Sequence, residues 1–160
     1  MGDIHTDIEH FAQATGAHTA LAGLDLGTKT IGVAVSDVMQ SVATPLETIK
    51  RTKFTKDAEA LLAICTKRNI GGLILGLPLN MDGSDGPRVQ ATQAFARNLS
   101  RLTELPISFW DERLSTVAAE RALLEADTSR RRRGQVIDHV AAGFILQGAL
   151  DRMAHIRRGA

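Results

Sequence analysis

Three observations predict an α/β domain built on a five-stranded mixed sheet flanked by helices. Two β-rich runs, ending at Leu24 and spanning Ile31–Val35, are joined by the turn residues Gly27-Thr28-Lys29-Thr30, the pattern of a hairpin. Gly72–Gly76, reading GLILG, is apolar on both faces, as expected of a buried parallel strand. Helical stretches precede both this run and Ile107–Trp110, which asks for two right-handed crossovers. The economical layout puts the first strand in the middle, in the order 3-2-1-4-5, with strand two antiparallel.

The elements follow in order. Residues 1–19 read as a peripheral arm: Ile4, Ile8 and Phe11 lie at helical spacing behind Asp3, and Gly16 would stop a helix. Residues 20–156 form the domain. After the hairpin, Ser41–Ile49 reads as a third strand, which Pro45 confines to a sheet edge because it cannot donate to a ladder. Lys56–Asn69 is helical, with Ala58, Leu61, Leu62 and Cys65 on one side and Gly71 just past its end. A polar loop, Leu77–Gly86, leads to Pro87 at the start of a helix running to about Leu102. Its apolar side is expected to carry Ala91, Ala94, Phe95, Asn98, Leu99 and Leu102. Ile107–Trp110 ends directly in Asp111-Glu112-Arg113, and Ser115 or Thr116 caps a helix carrying Ala119, Ala122 and Leu123. A basic loop, Ser129–Gly134, holds Arg130, Arg131, Arg132 and Arg133 before a last helix, Gln135–His155.

Composition narrows the function classes. The chain of 160 residues is long enough to bury a core without disulfides, and Cys65, its one cysteine, excludes a cysteine-based zinc site. Nineteen basic against 18 acidic residues give a net charge of +1, so nucleic-acid binding has to come from local clustering. No apolar run approaches the ~18 residues of a membrane span, and the N-terminus lacks signal-peptide architecture. No membrane partner and a cytoplasmic location are therefore expected.

In this layout the strand ends carrying Asp25, Gly76–Asn80 and Asp111–Arg113 meet at one sheet edge, where open α/β sheets bind ligands. Asp25 ends the first strand, where a carboxylate is costly unless paired. Glu112, beside Asp111, ends the fifth. Asp138 occupies the first turn of the last helix, and Ala141, Ala142 and Gly143 let that helix lie close to the sheet. Asp138 could equally be a cap, and Asp111 or Glu112 could simply pair with Arg113. His139, next to Asp138, reads as a surface histidine rather than a proton shuttle. Carboxylates without cysteine and with little histidine select hard cations, Mg²⁺ or Mn²⁺. Two such ions about 3.5–4 Å apart, the arrangement expected with substrate bound, activate a water and stabilise the leaving oxygen of a phosphodiester. Arg130–Arg133, upstream of Asp138, would supply the basic rim that holds phosphates.

GLDLGTKTIGVAVSD, GLILGLPLNMDGS, WDERLSTVAAE and VIDHVAAGFILQGALD, in that order, resemble the YqgF family of RNase H-like proteins, relatives of the RuvC-type Holliday-junction resolvases. The resemblance spans residues 21–152. It implies an RNase H-like fold and a divalent-metal-dependent nuclease acting on the ends of the small-subunit ribosomal RNA precursor, pre-16S rRNA, or on branched DNA. It carries the metal-binding and catalytic acids onto Asp25, Glu112 and Asp138. Lys29 matches a basic turn residue, while Thr30 departs from an arginine found in many relatives. Leu77–Gly83 is matched in full, which brings Asn80 near substrate, and Asp82 is an extra acid outside the expected triad. Arg113 and Arg130–Arg133 complete the expected nucleic-acid contacts. Structured RNA is the expected partner, with branched DNA as the alternative. Cutting two strands would call for a homodimer, and trimming one would not.

Two other classes compete. A phosphotransferase of the actin and sugar-kinase type also uses a strand-one Asp followed by Gly and Thr/Lys, but it needs a second lobe for which this chain is too short. A non-catalytic RNA-binding module of ribosome assembly would keep the fold without turnover.

Overall fold

The computed structural model describes residues 1–80, 82–114 and 130–159, and for 130–138 the helical backbone alone. The helix expected after Ser115 or Thr116 lies outside the described residues. The described elements are β1 (Ile4–His5), α1 (Ile8–Thr15), β2 (Ala20–Leu26), β3 (Thr30–Ser36), β4 (Ala43–Lys50), α2 (Phe54–Lys67), β5 (Ile70–Leu77), α3 (Pro87–Ser100), β6 (Ile107–Asp111), a 3₁₀ turn (Glu112–Leu114) and α4 (Arg130–Gly159).

The sheet order is β1-β6-β5-β2-β3-β4. The five expected strands appear in the expected order, with β3 antiparallel to β2, and β5 parallel to both β2 and β6. Pro45 lies in β4, at the sheet edge, beside a register shift in the pairing with β3. The sheet has six strands rather than five, because Ile4–His5 pairs in parallel with β6. Two residues are too few to show a period of two. The helix behind them starts later than Asp3 suggests, since the Asp7 side chain caps α1 by accepting the His10 N–H at 2.9 Å.

Helices cover both faces. One core joins Ala22, Leu24 and Leu26 of β2 to Ala58, Leu61 and Cys65 of α2 and to Phe95 and Leu99 of α3. The buried side of α3 is Val89, Thr92, Phe95, Ala96 and Leu99, one position away from the expected Ala91–Ala94–Asn98 stripe, and Leu102 is exposed. The second core joins Leu21, Ile74 and Trp110 to Ala142, Ile145, Leu146, Ala149 and Met153 of α4, and includes Phe11 of α1. A Cβ on Gly23 would lie 2.6 Å from Leu146 Cβ and 3.1 Å from the Ala142 carbonyl oxygen. That close approach seats α4 directly on β2. Residues 130–133 are helical in backbone, so the four arginines stand in α4 and not in a loop.

Candidate active site

Asp25 is the penultimate residue of β2 and only 2% exposed. Strand alternation explains where it points. Leu24 and Leu26 enter the α2/α3 core, whereas Leu21 and Gly23 meet the α4 layer, so Asp25 shares the α4 side. Its partner on β3 is Gly32, and the pairing of Leu24 with Leu75 sets Gly76 level with it on β5. A buried carboxylate thus has a glycine level with it on each neighbouring strand.

Glu112 reaches the same patch. Alternation along an extended strand would send Asp111 and Glu112 to opposite faces, but β6 stops at Asp111 and a 3₁₀ turn re-aims Glu112. Its Oε2 lies 3.0 Å from the point a Cβ on Gly76 would occupy. Since neighbouring strands lie ~4.8 Å apart, Glu112 is brought over the strand beside Asp25. Asp111 has a different task. Arg113 grips it through Nε–Oδ1 at 3.0 Å and Nη2–Oδ2 at 2.7 Å, and its backbone N–H donates to Oδ1 at 2.9 Å. The guanidinium holds the Asp111 carboxyl below the usual carboxylate range. Of the two adjacent acids, the ion pair takes Asp111 and leaves Glu112 over Gly76.

Residue 138 lies in α4, one turn before Ala142 and two before Ile145. The side chains of Asp138 and of Arg130, Arg131, Arg132 and Arg133 lie outside the described residues. Among the described residues no three His, Cys, Asp or Glu side chains gather as a metal site, a set that excludes Asp138. Asp25 and Glu112 on one patch fit a hard divalent cation by donor chemistry, two carboxylates without sulfur.

The turn after Asp25 is held from outside. Gly27 donates its N–H to the Thr30 carbonyl at 2.8 Å, so that amide is engaged within the turn. Arg51 donates from Nη1 to the Gly27 carbonyl at 2.6 Å and from its backbone to Lys29 at 2.8 Å, and Arg88 Nη2 donates to the Leu26 carbonyl at 3.2 Å. Neither arginine stands out in the sequence, because both act through the folded hairpin. Lys29 and Thr30 line a cleft of about 520 Å³ together with Thr48, Lys50 and His139. His139 is half-buried, with Nδ1 2.9 Å from Thr48 Oγ1. In the loop before α3, Asn80 Nδ2 donates to Ser84 Oγ at 3.0 Å, and Asp82 accepts the Ser84 hydroxyl at 2.6 Å. Asp82 therefore braces its own loop, and Ser84 holds its carboxyl below the usual range.

Residues 19–152 match the profile of the family described as RuvX: Holliday junction resolvase. The chain belongs to this family. The RuvX family's enzyme class is the phosphodiester-cleaving nuclease. Relatives named "Putative pre-16S rRNA nuclease" include one from Ruegeria sp. (strain TM1040), 71% identical over 96% of this chain and 98% of its own. Another, from Paracoccus denitrificans, is 69% identical over 95% of this chain and 96% of its own. Among solved structures, RuvC of T. thermophilus in complex with Holliday junction substrate aligns with TM-score 0.53 at 17% identity, covering 89% of this chain and 97% of that one. The yeast mitochondrial Holliday junction resolvase Ydc2 aligns with TM-score 0.52 at 12% identity, covering 94% of each. At such identities the likeness is one of fold, and the fold of this RuvX-family chain is RNase H-like.

Proposed function

We propose that this chain is a divalent-metal-dependent nuclease that processes the ends of pre-16S rRNA in the cytoplasm, with Asp25, Glu112 and Asp138 holding Mg²⁺ or Mn²⁺. The observation carrying the reading is the approach of Glu112 Oε2 to Gly76, beside buried Asp25. Asp138 is added from the sequence, where positions 138, 142 and 145 recur at helical spacing. When bound there, the ions supply Lewis-acid activation of a water and charge neutralisation at the phosphate. The chain's own share is positional. Asp25 is held rigidly by β2 between two glycines, Glu112 is aimed by the 3₁₀ turn, and the Lys29 side of the hairpin and Arg130–Arg133 hold flanking phosphates. RNA as substrate rests on the names of the similar proteins above, and branched DNA on the family's description.

The test compares wild type with Asp25→Asn on a pre-16S rRNA end fragment and on a four-way DNA junction, with Mg²⁺, Mn²⁺ or EDTA. RNA cleavage that needs the metal and falls by more than the ~100-fold typical of losing an outer-shell partner is expected. Preferential junction cleavage by a dimeric protein would favour the resolvase reading. Binding of the RNA without any cleavage by pure wild type would leave a non-catalytic assembly module.

A further inference from the structure

We infer that the cleft between the β3–β4 ledge and the start of α4 is a second phosphate subsite, which holds the nucleic-acid backbone beyond the scissile phosphate through Lys50 and Lys29. The inference rests on the nuclease reading above for what the cleft serves, but its residues stand on their own geometry. Thr30 pairs with Lys50, and Gly32 pairs with both Thr48 and Asp25. Asp25, Gly32 and Thr48 therefore form one row across three strands. Thr48 is two strands from Asp25, ~10 Å at the usual strand spacing, and the residue between them has no side chain.

The orientation of the row is settled by contact. Thr48 Oγ1 meets His139 Nδ1 of α4 at 2.9 Å, so Thr48 points to the same side as Asp25. Two residues on, alternation returns Lys50 to that side, and Lys50 and His139 both line the cleft of about 520 Å³. Neither Lys29 nor Lys50 enters an ion pair among the described residues. Among the described residues the lining holds two lysines, two threonines and a histidine and no carboxylate, which makes a cationic, donor-rich cleft. Its chemistry suits a phosphodiester, which offers charge and acceptors and no donors. An acidic centre repels nucleic acid, and a cationic ledge two strands away offsets that repulsion where the chain leaves the centre.

The test uses the full chain in EDTA, so that binding is read without cleavage. Fluorescence anisotropy follows a stem–loop RNA with a single-stranded tail, and separately a four-way DNA junction, over a salt series. Lys50→Ala is expected to weaken binding several-fold at low salt and to lower the slope of log K against log salt by about 0.7–0.9. Lys50→Arg should restore both, and Lys29→Ala with Lys50→Ala should roughly double the change in slope. Lys56→Ala, on α2 over the opposite face, is the control and should match wild type. A wild-type affinity and slope for Lys50→Ala, with unchanged melting temperature, would overturn the subsite. Failure of the nuclease reading is seen separately, as wild type that cuts neither probe in Mg²⁺ or Mn²⁺ while the Lys50 effect on binding persists.

Discussion

Glu112 and Gly76 occupy each other's space: the Glu112 Oε2 atom stands 3.0 Å from where a Cβ on Gly76 would be, and Ile145 Cδ1 stands 2.4 Å from the same point. A side chain at residue 76 therefore has to displace the end of Ile145 and press on the carboxylate. Gly76→Ala should cost about 1–3 kcal/mol of stability by overpacking and should lower cleavage more than the lost fold explains. Gly148→Ala is the comparison, because the three atoms nearest its Cβ would all be Trp110 ring atoms at 3.0 Å and none a carboxylate. Thermal melts and kcat on the same preparations check both. Equal losses of activity in the two variants would detach Gly76 from the carboxylate.

The Arg113 clasp on Asp111 predicts a pH signature. Asp111 has its folded pKa depressed, chiefly by the hydrogen bond from Arg113. Such a group stabilises the fold above its unfolded pKa of ~3.9, and the stabilisation is lost as pH falls through the lower folded value. Asp111→Asn should therefore melt below wild type at neutral pH, and the gap should close below about pH 4. Melting curves from pH 7 down to pH 2 measure it. A gap independent of pH would mean the charge is not what matters.

Arg51 braces the turn that follows Asp25, through Nη1 to the Gly27 carbonyl at 2.6 Å, with its guanidinium 5.8 Å from the Phe95 ring centre. Arg51→Ala keeps the backbone bond to Lys29 and removes the side-chain brace. The expected loss of stability is about 1 kcal/mol after allowing for partial exposure. Loosening the hairpin should raise the Mg²⁺ concentration needed for half-maximal cleavage. Metal titrations of activity decide the matter, and an unchanged midpoint would leave Arg51 a structural residue only.

Burial pushes the Cys65 thiol up to about 11. At pH 8 about one thiol in a thousand is then ionised, and the side chain is only 4% exposed if reached at all. Labelling by a small disulfide reagent should be slow in the folded protein and should accelerate with unfolding in urea. Rapid labelling of the native state would show that α2 opens readily from the sheet.

Much of the architecture is legible along the chain because the signals are local. Pro45 marks the edge strand by its missing donor, and GLILG marks a strand buried on both faces. Asp25 stands out as an acid closing an apolar run, and Ala58, Leu61 and Cys65 face the core at helical spacing. Ile4–His5 escapes notice because its ladder comes from β6, about a hundred residues away. In α3 the expected Phe95 and Leu99 are buried, while Val89, Thr92 and Ala96 take the places expected of Ala91, Ala94 and Asn98, because small and polar residues in that helix mark neither side clearly.

The sequence by itself determined the strand order, the hairpin and the strand end on which Asp25 stands, since apolar periodicity and turn residues act over a few positions. Only the tertiary structure decided which of two neighbouring acids comes over Gly76 beside Asp25. The 3₁₀ turn re-aims Glu112, while Arg113 takes Asp111. It also decided that Lys50, Thr48 and His139 share a cleft with Lys29. The physical reason is register: cross-strand pairing and helix docking join residues far apart in the chain, and no local spacing encodes that meeting.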